Sequence, residues 1–367
     1  MPTEKKRFVF KHFNKIVAFL LTSALTLSSF NASAGIMPLV SKRHWGAQIF
    51  IANQIKGIGL VDSYQEDDKD VSYVYDNAVA AIACMLMNNY GLAVEILNTL
   101  TREVQNTEEG VPFEFYYYSD FTGNGGWVAY CGNSAWLLQT LNIYQKLKST
   151  KQYYFAQKKL ADFLLTLQDP GDGGLRGSPF DYWKSVEHNI IAYVALRNFG
   201  KLNNHSKYIT QAEKIREFLT SPAVWNGERF NRGPYDINKV VDVQALGVLL
   251  LGSEYSSALT WAEDNLRATR PYNSETVTGF DFDSNLDTVW LEGTIQMSLA
   301  FYQIGDYEKA NYYFSEVCKT VQSDGSILLA TNRGTAAEYW ILQPWRAIAP
   351  TSWFIFYYFK FNPLILF

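Results

Sequence analysis

One plan recurs along this chain at intervals close to 55 residues. A loop rich in Gly, Asp and aromatic residues ends on a polar residue, and a helix with almost no charge follows. The polar starts fall near Asp76, Cys131, Glu187, Asp242, Glu292 and Thr351, spaced by 55, 56, 55, 50 and 59 residues. Between successive uncharged stretches lies a second one whose apolar residues recur at helical spacing, with charges on the opposite side. A helix apolar all round must be surrounded by protein, whereas an amphipathic one faces water along one side. A period of this length, holding one helix of each kind, restricts the chain to a closed or stacked array of helical hairpins.

The spacing predicts uncharged helices over 73–89, 128–146, 187–199, 240–251, 290–304 and 351–361. Their amphipathic companions are expected over 42–58, 92–105, 152–168, 206–219, 256–268 and 307–321. The arrangement that buries the first set is an all-α (α/α)6 toroid of six helical hairpins, with an inner ring of parallel apolar helices inside an outer ring. The links entering the inner helices are long, at 106–127, 169–183, 220–239, 269–289 and 322–349, and those leaving them are short. All the long loops then meet on the rim where the inner helices begin, and long loops inside a compact domain usually carry function.

Composition supports one large core, with 48% hydrophobic, 16% aromatic and 19% charged residues. The N-terminus reads as a separate object. Lys5, Lys6, Arg7, Lys11 and Lys15 precede the apolar run Ile16–Leu27, and Ala32-Ser33-Ala34 supplies small residues at a cleavage site. This is a secretory signal peptide over 1–34, leaving 35–367 as a single domain exported to the periplasm or beyond the cell. The run is too short to span a membrane comfortably, so no stable anchor is expected after cleavage. Residues 1–34 hold five Lys/Arg and one Glu, so the remainder carries 27 basic against 35 acidic residues, a formal charge of −8. Such a surface does not recruit nucleic acid. Three cysteines, Cys84, Cys131 and Cys318, make no disulfide framework. Cys84 reads as a small core hydrophobe, with a bridge to Cys131 as the alternative.

Candidate chemistry lies at the inner-helix starts. Asp76, Glu187, Asp242 and Glu292 each suit the positive end of a helix taken singly. Converging on one rim, they would raise one another's proton affinity, which can leave one carboxyl protonated and another ionised, as glycoside hydrolysis requires. Tyr118, Asp120, Trp127, Trp183, His188, Asn189, Tyr193 and Trp290 are the candidate substrate contacts, because aromatic faces stack on sugar C–H groups and acids and amides bond hydroxyls. No cofactor is expected. The exception weighed is calcium, since Asp281, Asp283, Asn285, Asp287 and Glu292 fall at the 1, 3, 5, 7 and 12 positions of a calcium loop, although Leu286 stands where that loop has Gly. Walker, HExxH, GxSxG and complete GxGxxG motifs are absent.

Four stretches carry a family resemblance: Val186-Glu-His-Asn-Ile190 with Tyr193 and Leu196; Val241-Asp-Val-Gln-Ala-Leu-Gly247; Val289-Trp-Leu-Glu-Gly-Thr-Ile-Gln-Met297; and Pro350-Thr-Ser-Trp-Phe-Ile355 with Asn362-Pro363. Over roughly 60–363 the chain resembles bacterial proteins of the six-hairpin glycosidase-like superfamily. The resemblance implies an (α/α)6 toroid with a cleft at one end, and carbohydrate chemistry in that cleft. The expectation is an exported, inverting glycoside hydrolase acting on a neutral oligo- or polysaccharide, with Asp76 or Glu187 as acid and Asp242 or Glu292 as base. A polysaccharide lyase or sugar epimerase, and a non-catalytic glycan-binding protein, are the rival expectations on the same fold.

Overall fold

The computed structural model describes residues 37–57, 59–337 and 340–366. The expected signal peptide, 1–34, lies outside them. Of the two units into which the chain divides, the fold below is that of Arg43–Phe367.

Among the described residues there are twelve α-helices: α1 (Met37–Gln54), α2 (Val74–Leu86), α3 (Tyr90–Asn106), α4 (Cys131–Lys148), α5 (Tyr154–Thr166), α6 (Val186–Asn203), α7 (Ser206–Leu219), α8 (Asp242–Leu251), α9 (Ser257–Leu266), α10 (Leu291–Gln303), α11 (Tyr307–Cys318) and α12 (Ile348–Tyr358). The even-numbered helices form the inner ring. Each packs on the next, α2 on α4 and so on to α12, and α12 packs back on α2, which closes the ring. Helices α3, α5, α7, α9 and α11 lie outside, against α2, α4, α6, α8 and α10. The remaining outer helix, α1, stacks His44 on Tyr358 of α12 at 4.0 Å between ring centroids. This is the (α/α)6 toroid the alternation of helix types predicts.

The burial pattern follows the charge pattern. Every residue of α12 from Ile348 to Tyr357 is buried, as is α10 from Leu291 to Phe301. In the outer helix α7 only Tyr208, Ala212, Ile215, Phe218 and Leu219 are buried, the one apolar stripe of an amphipathic helix. Cys84 and Cys131 are both buried and free, so the disulfide alternative is not realised. Among the described residues no helix is long and apolar enough to cross a membrane.

One device repeats six times and fixes the rim. A polar side chain in the first turn of each inner helix accepts a hydrogen bond from a backbone N–H of the long loop that leads into it. The pairs are Asn77 with Val61, Ser134 with Val111, Asn189 with Leu175, Gln244 with Phe230, Thr294 with Phe280 and Thr351 with Ile327. Five of the six also donate to the carbonyl four residues back, at Tyr73, Ser185, Val240, Trp290 and Ala347. Each side chain thus occupies a loop amide that would otherwise be buried without a partner, and ties the loop to the helix start.

Two local expectations change. The first helix ends at Gln54, because Ile55–Lys56 (β1) pairs antiparallel with Leu60–Val61 (β2). The segment read as a loop over 269–289 contains a hairpin, Arg267–Tyr272 (β3) with Glu275–Phe280 (β4). Its alternating Thr, Val, Tyr and Phe residues suit a pleated surface, and Asn273 supplies the positive φ of 53° for the turn.

Candidate active site

The six pinning side chains define a common register, marked by the residue two positions before each pin, which in five of the six helices faces the ring axis. These residues are Tyr75, Gly132, Glu187, Asp242, Glu292 and Ala349. The first five, with Asn133, Trp136, His188, Leu246, Phe282, Trp290 and Gln296, line a cavity of about 230 Å³ at the N-terminal end of the inner helices. Gly132 is small for a reason. A Cβ there would sit 2.5 Å from the His188 imidazole, which occupies that space instead.

The register explains which sequence candidates meet. Glu187, Asp242 and Glu292 share the cavity with His188 and Trp290. Asp76 does not line it. It stands one residue past the axial position, about 100° further round the helix, where it is buried and hydrogen-bonded to Ser63. Tyr75 holds the place that the sequence reading gave to Asp76. Asn189 is corrected too: all its polar atoms serve the loop, through Leu175 N–H, Leu175 C=O and Ser185 C=O. Tyr193 is buried on the outward side of α6, beside Glu213 of α7. Tyr118 reaches Asp62 at 3.5 Å, and Asp120 is exposed and caps its own turn through Thr122. Trp127 and Trp183 are on the rim outside the cavity, 37% and 49% exposed.

The acidic loop reads differently from a calcium site. Asp281 accepts from Phe282 and Thr288 N–H, Asp283 from Asn285 and Ala337 N–H, and Asp287 from Thr335 N–H and Oγ1. Asn285 accepts from Asp287 N–H and donates to Thr335. These oxygens build loop turns. Among the described residues no group of three or more His, Cys, Asp or Glu side chains is placed to hold a metal ion.

Aromatic residues that the sequence reading missed connect the two glutamates. Trp136 Nε1 donates to Glu187 Oε1 at 3.1 Å. The Tyr75 hydroxyl donates to Glu292 Oε1 at 2.5 Å, accepts from Trp353 Nε1 at 2.8 Å, and Gln296 Nε2 also donates to Glu292 Oε1 at 3.1 Å. The Tyr75 and Trp136 rings meet edge to face at 5.2 Å, and Trp136 meets Trp353 at 6.4 Å. A rigid aromatic brace therefore sets the positions of both carboxyls. The signal was available in sequence, because Tyr75 precedes Asn77 by the same two residues that separate Glu187 from Asn189.

Proton affinities at the site are high. Burial raises Glu187 to about 7, with the Trp136 hydrogen bond opposing it. Burial, and then the Glu187 charge, raise Asp242 to about 7. Glu292 is pushed to about 8 by burial, against the Tyr75 hydrogen bond, with the Asp76, Glu187 and Asp242 charges adding to the rise. Burial lowers His188 to about 4, so the imidazole is neutral near pH 7. The His188 Nε2 atom lies 3.4 Å from Glu187 Oε2.

This architecture has solved counterparts. A wild-type glycosidase superposes with a TM-score of 0.70 at 10% identity, over 91% of this chain and 100% of that one. D-mannose isomerase gives 0.67 at 10% identity, over 91% and 99%. The chain has the six-hairpin glycosidase-like fold. A bacterial glucoamylase complexed with acarbose matches at 0.62 and 10% identity, over 88% of this chain and 56% of its own. No protein-family model matches the chain, and no curated protein matches it. At such identities the six-hairpin fold is what the likeness shows, and the chemistry must be argued from the cavity.

Proposed function

We propose that this protein is an exported glycoside hydrolase that cleaves a neutral oligo- or polysaccharide with inversion, using Glu187 and Glu292 as its acid–base pair. The observation that carries the reading is one small cavity lined by three carboxyls, an imidazole and the rings of Tyr75, Trp136, Phe282 and Trp290, with no Lys or Arg among the lining residues. Aromatic walls suit the C–H faces of a pyranose, and acids and amides suit its hydroxyls. The fold's solved counterparts include proteins named glycosidase, α-amylase and glucoamylase, which supports carbohydrate chemistry.

The hydrogen bonds favour one division of labour. The Tyr75 phenol donates to Glu292, which favours the ionised form, so Glu292 is assigned as the base for water. Because its proton affinity exceeds that of Glu187, the active form is the reverse-protonated minority of the pair, with Glu292 ionised and Glu187 protonated. Both its donors fall on Oε1, leaving Oε2 for a water molecule. Glu187 has one indole donor and a neutral imidazole beside it, which suits the protonated acid. The two glutamates start α6 and α10, with α8 between them in the ring, and inversion requires room for a water molecule between them. A lyase would need a cation against a uronate. Arg176 binds Thr166 C=O and covers Tyr182, Arg229 binds Phe230 C=O and covers Trp261, and Arg232 pairs with Asp236.

The test is release of reducing ends from a panel of neutral glycans, with the anomer of the product followed by NMR. Glu292→Gln should lose roughly 10²–10⁴-fold on every substrate. Glu187→Gln should lose as much on glycans but retain activity on glycosyl fluorides, whose leaving group needs no proton. Because the two groups share protons, the profile belongs to the pair, with activity falling on either side of a maximum between about 7 and about 8. Wild-type turnover in both variants would remove these glutamates from the mechanism.

A further inference from the structure

Outside the cavity, the rim loop between α5 and α6 presents an indole in an unusual setting. Trp183 is 49% exposed, yet its position is fixed. Gly177 N–H donates to Trp183 C=O at 2.8 Å, and Gly177 C=O accepts from Cys131 N–H at 2.8 Å, which ties the loop to the start of α4. The ring lies over Gly177 so closely that a Cβ there would fall 2.5 Å from its Cζ2 and Cη2 atoms. Its centroid is 5.6 Å from the His188 ring, and His188 lines the cavity. Ser178 Oγ, bonded to Asp181 and to two backbone N–H groups, stiffens the same loop. The result is a flat apolar surface, backed by a glycine and beside a residue of the cavity wall.

We propose that Trp183 is a stacking platform for the leaving-group sugar, so that the substrate is a neutral chain shortened from its end and not a small glycoside. This rests on the hydrolase reading above. A volume of about 230 Å³ is below the roughly 300–1,000 Å³ of sites for drug-sized ligands. It accommodates one pyranose ring, so the remainder of a chain must extend beyond the cavity. The exposed indole of Trp183, against the His188 ring of the lining, is an aromatic surface directly outside it. An exposed tryptophan loses little rotamer freedom on binding when its loop already holds it, so stacking there adds affinity at small entropic cost. Phe180, 68% exposed on the same loop, adds a further apolar surface for later residues of the chain.

The experiment compares two substrates carrying the same terminal sugar: a tetrasaccharide, and the glycosyl fluoride whose leaving group is too small to reach the platform. Trp183→Ala should lower kcat/KM for the tetrasaccharide by about 10-fold. It should leave the fluoride within twofold, and Trp183→Phe should recover most of the loss. Equal losses on both substrates, or no loss on either, overturn the platform. If the wild-type protein cleaves neither, the hydrolase reading fails and the platform is judged by calorimetric titration with the tetrasaccharide alone. Binding weakened by a similar factor in Trp183→Ala supports it, and unchanged binding overturns it.

Discussion

The two ends of the inner ring bury polar groups of different kinds. At the N-terminal end Glu187, Asp242 and Glu292 share a cavity with no cation among its lining residues. Toward the other end the buried polar groups are amides that pair with one another. Gln157 Nε2 donates to both Asn142 Oδ1 and Gln145 Oε1, Gln145 Nε2 to Asn203 Oδ1, and Asn198 Nδ2 to Gln139 Oε1. Gln139 then binds Pro363 C=O, and Asn362 binds Leu249 C=O and Gln303, so the segment after α12 is stitched beneath the ring. A network of neutral amides that bond one another stabilises a core, although Gln157 Oε1 itself is buried without a partner. Carboxyls buried without a cation destabilise one, and a fold retains such groups where chemistry uses them. The contrast separates the end proposed to act from the end that holds the ring together.

The sharpest way to break this comparison is to cut the amide end. Gln157→Leu removes the donor from two buried acceptors, and each unsatisfied group costs about 1–3 kcal/mol. The expected outcome is about 2–4 kcal/mol less stability in denaturant unfolding, with turnover per folded molecule unchanged. A fall in kcat without a fall in stability would mean that the two ends are not separable.

A smaller effect should distinguish the ends by pH. Folding raises Asp76, Glu187 and Asp242 from ordinary carboxyl values to about 7, and Glu292 to about 8. The folded protein therefore holds protons that the unfolded chain releases. For acids with raised values the stability is complete below the unfolded value and is lost as pH rises through the folded one. His188, lowered to about 4, acts oppositely between its folded value and the ordinary 6.5, but it is one group against four. Thermal stability should thus decline from about pH 5 to pH 8. Glu292→Gln should flatten the upper part of that decline by an order of ~1 kcal/mol, and Gln157→Leu should shift the whole curve without changing its slope. A decline unaffected by Glu292→Gln would mean that its proton affinity is not raised on folding.

How much of this was legible in the sequence differs between fold and site. The uncharged stretches announced the inner ring because burial on all sides leaves no place for charge, and α6, α8 and α10 begin within two residues of their expected starts. The cavity was legible only where a carboxyl itself faces the axis, as Glu187, Asp242 and Glu292 do. Asp76 misled, since a charged residue near a helix start attracts attention and the neutral Tyr75 beside it does not. Asn189 misled for the opposite reason: its amide is polar and stands beside Glu187 and His188, but the six-fold pinning pattern assigns it to the loop. Trp136 and Trp353 were invisible as site residues, because an indole within an apolar helix reads as core until its N–H is seen to have a partner. The β3–β4 hairpin was not legible from helical spacing, because its alternation is confined to a short stretch between two helices.

The smallest expected effect tests whether the aromatic brace belongs with the acting end. Trp353 is fully buried and does not line the cavity, so it touches no substrate. Its indole N–H donates to the Tyr75 oxygen, which fixes the phenol rotor and polarises the O–H aimed at Glu292. Donation to the carboxylate favours its ionised form. Trp353→Phe keeps a ring in the core and removes that donor, so Glu292 should hold its proton to higher pH. The expected result is roughly a 3–10-fold drop in kcat on the acid side of the profile, with KM unchanged and most of the loss recovered about one pH unit higher. Tyr75→Phe, which removes the donor to Glu292 itself, should move the same limb further in the same direction. A loss equal at every pH would assign Trp353 to packing alone and return the brace to the structural core.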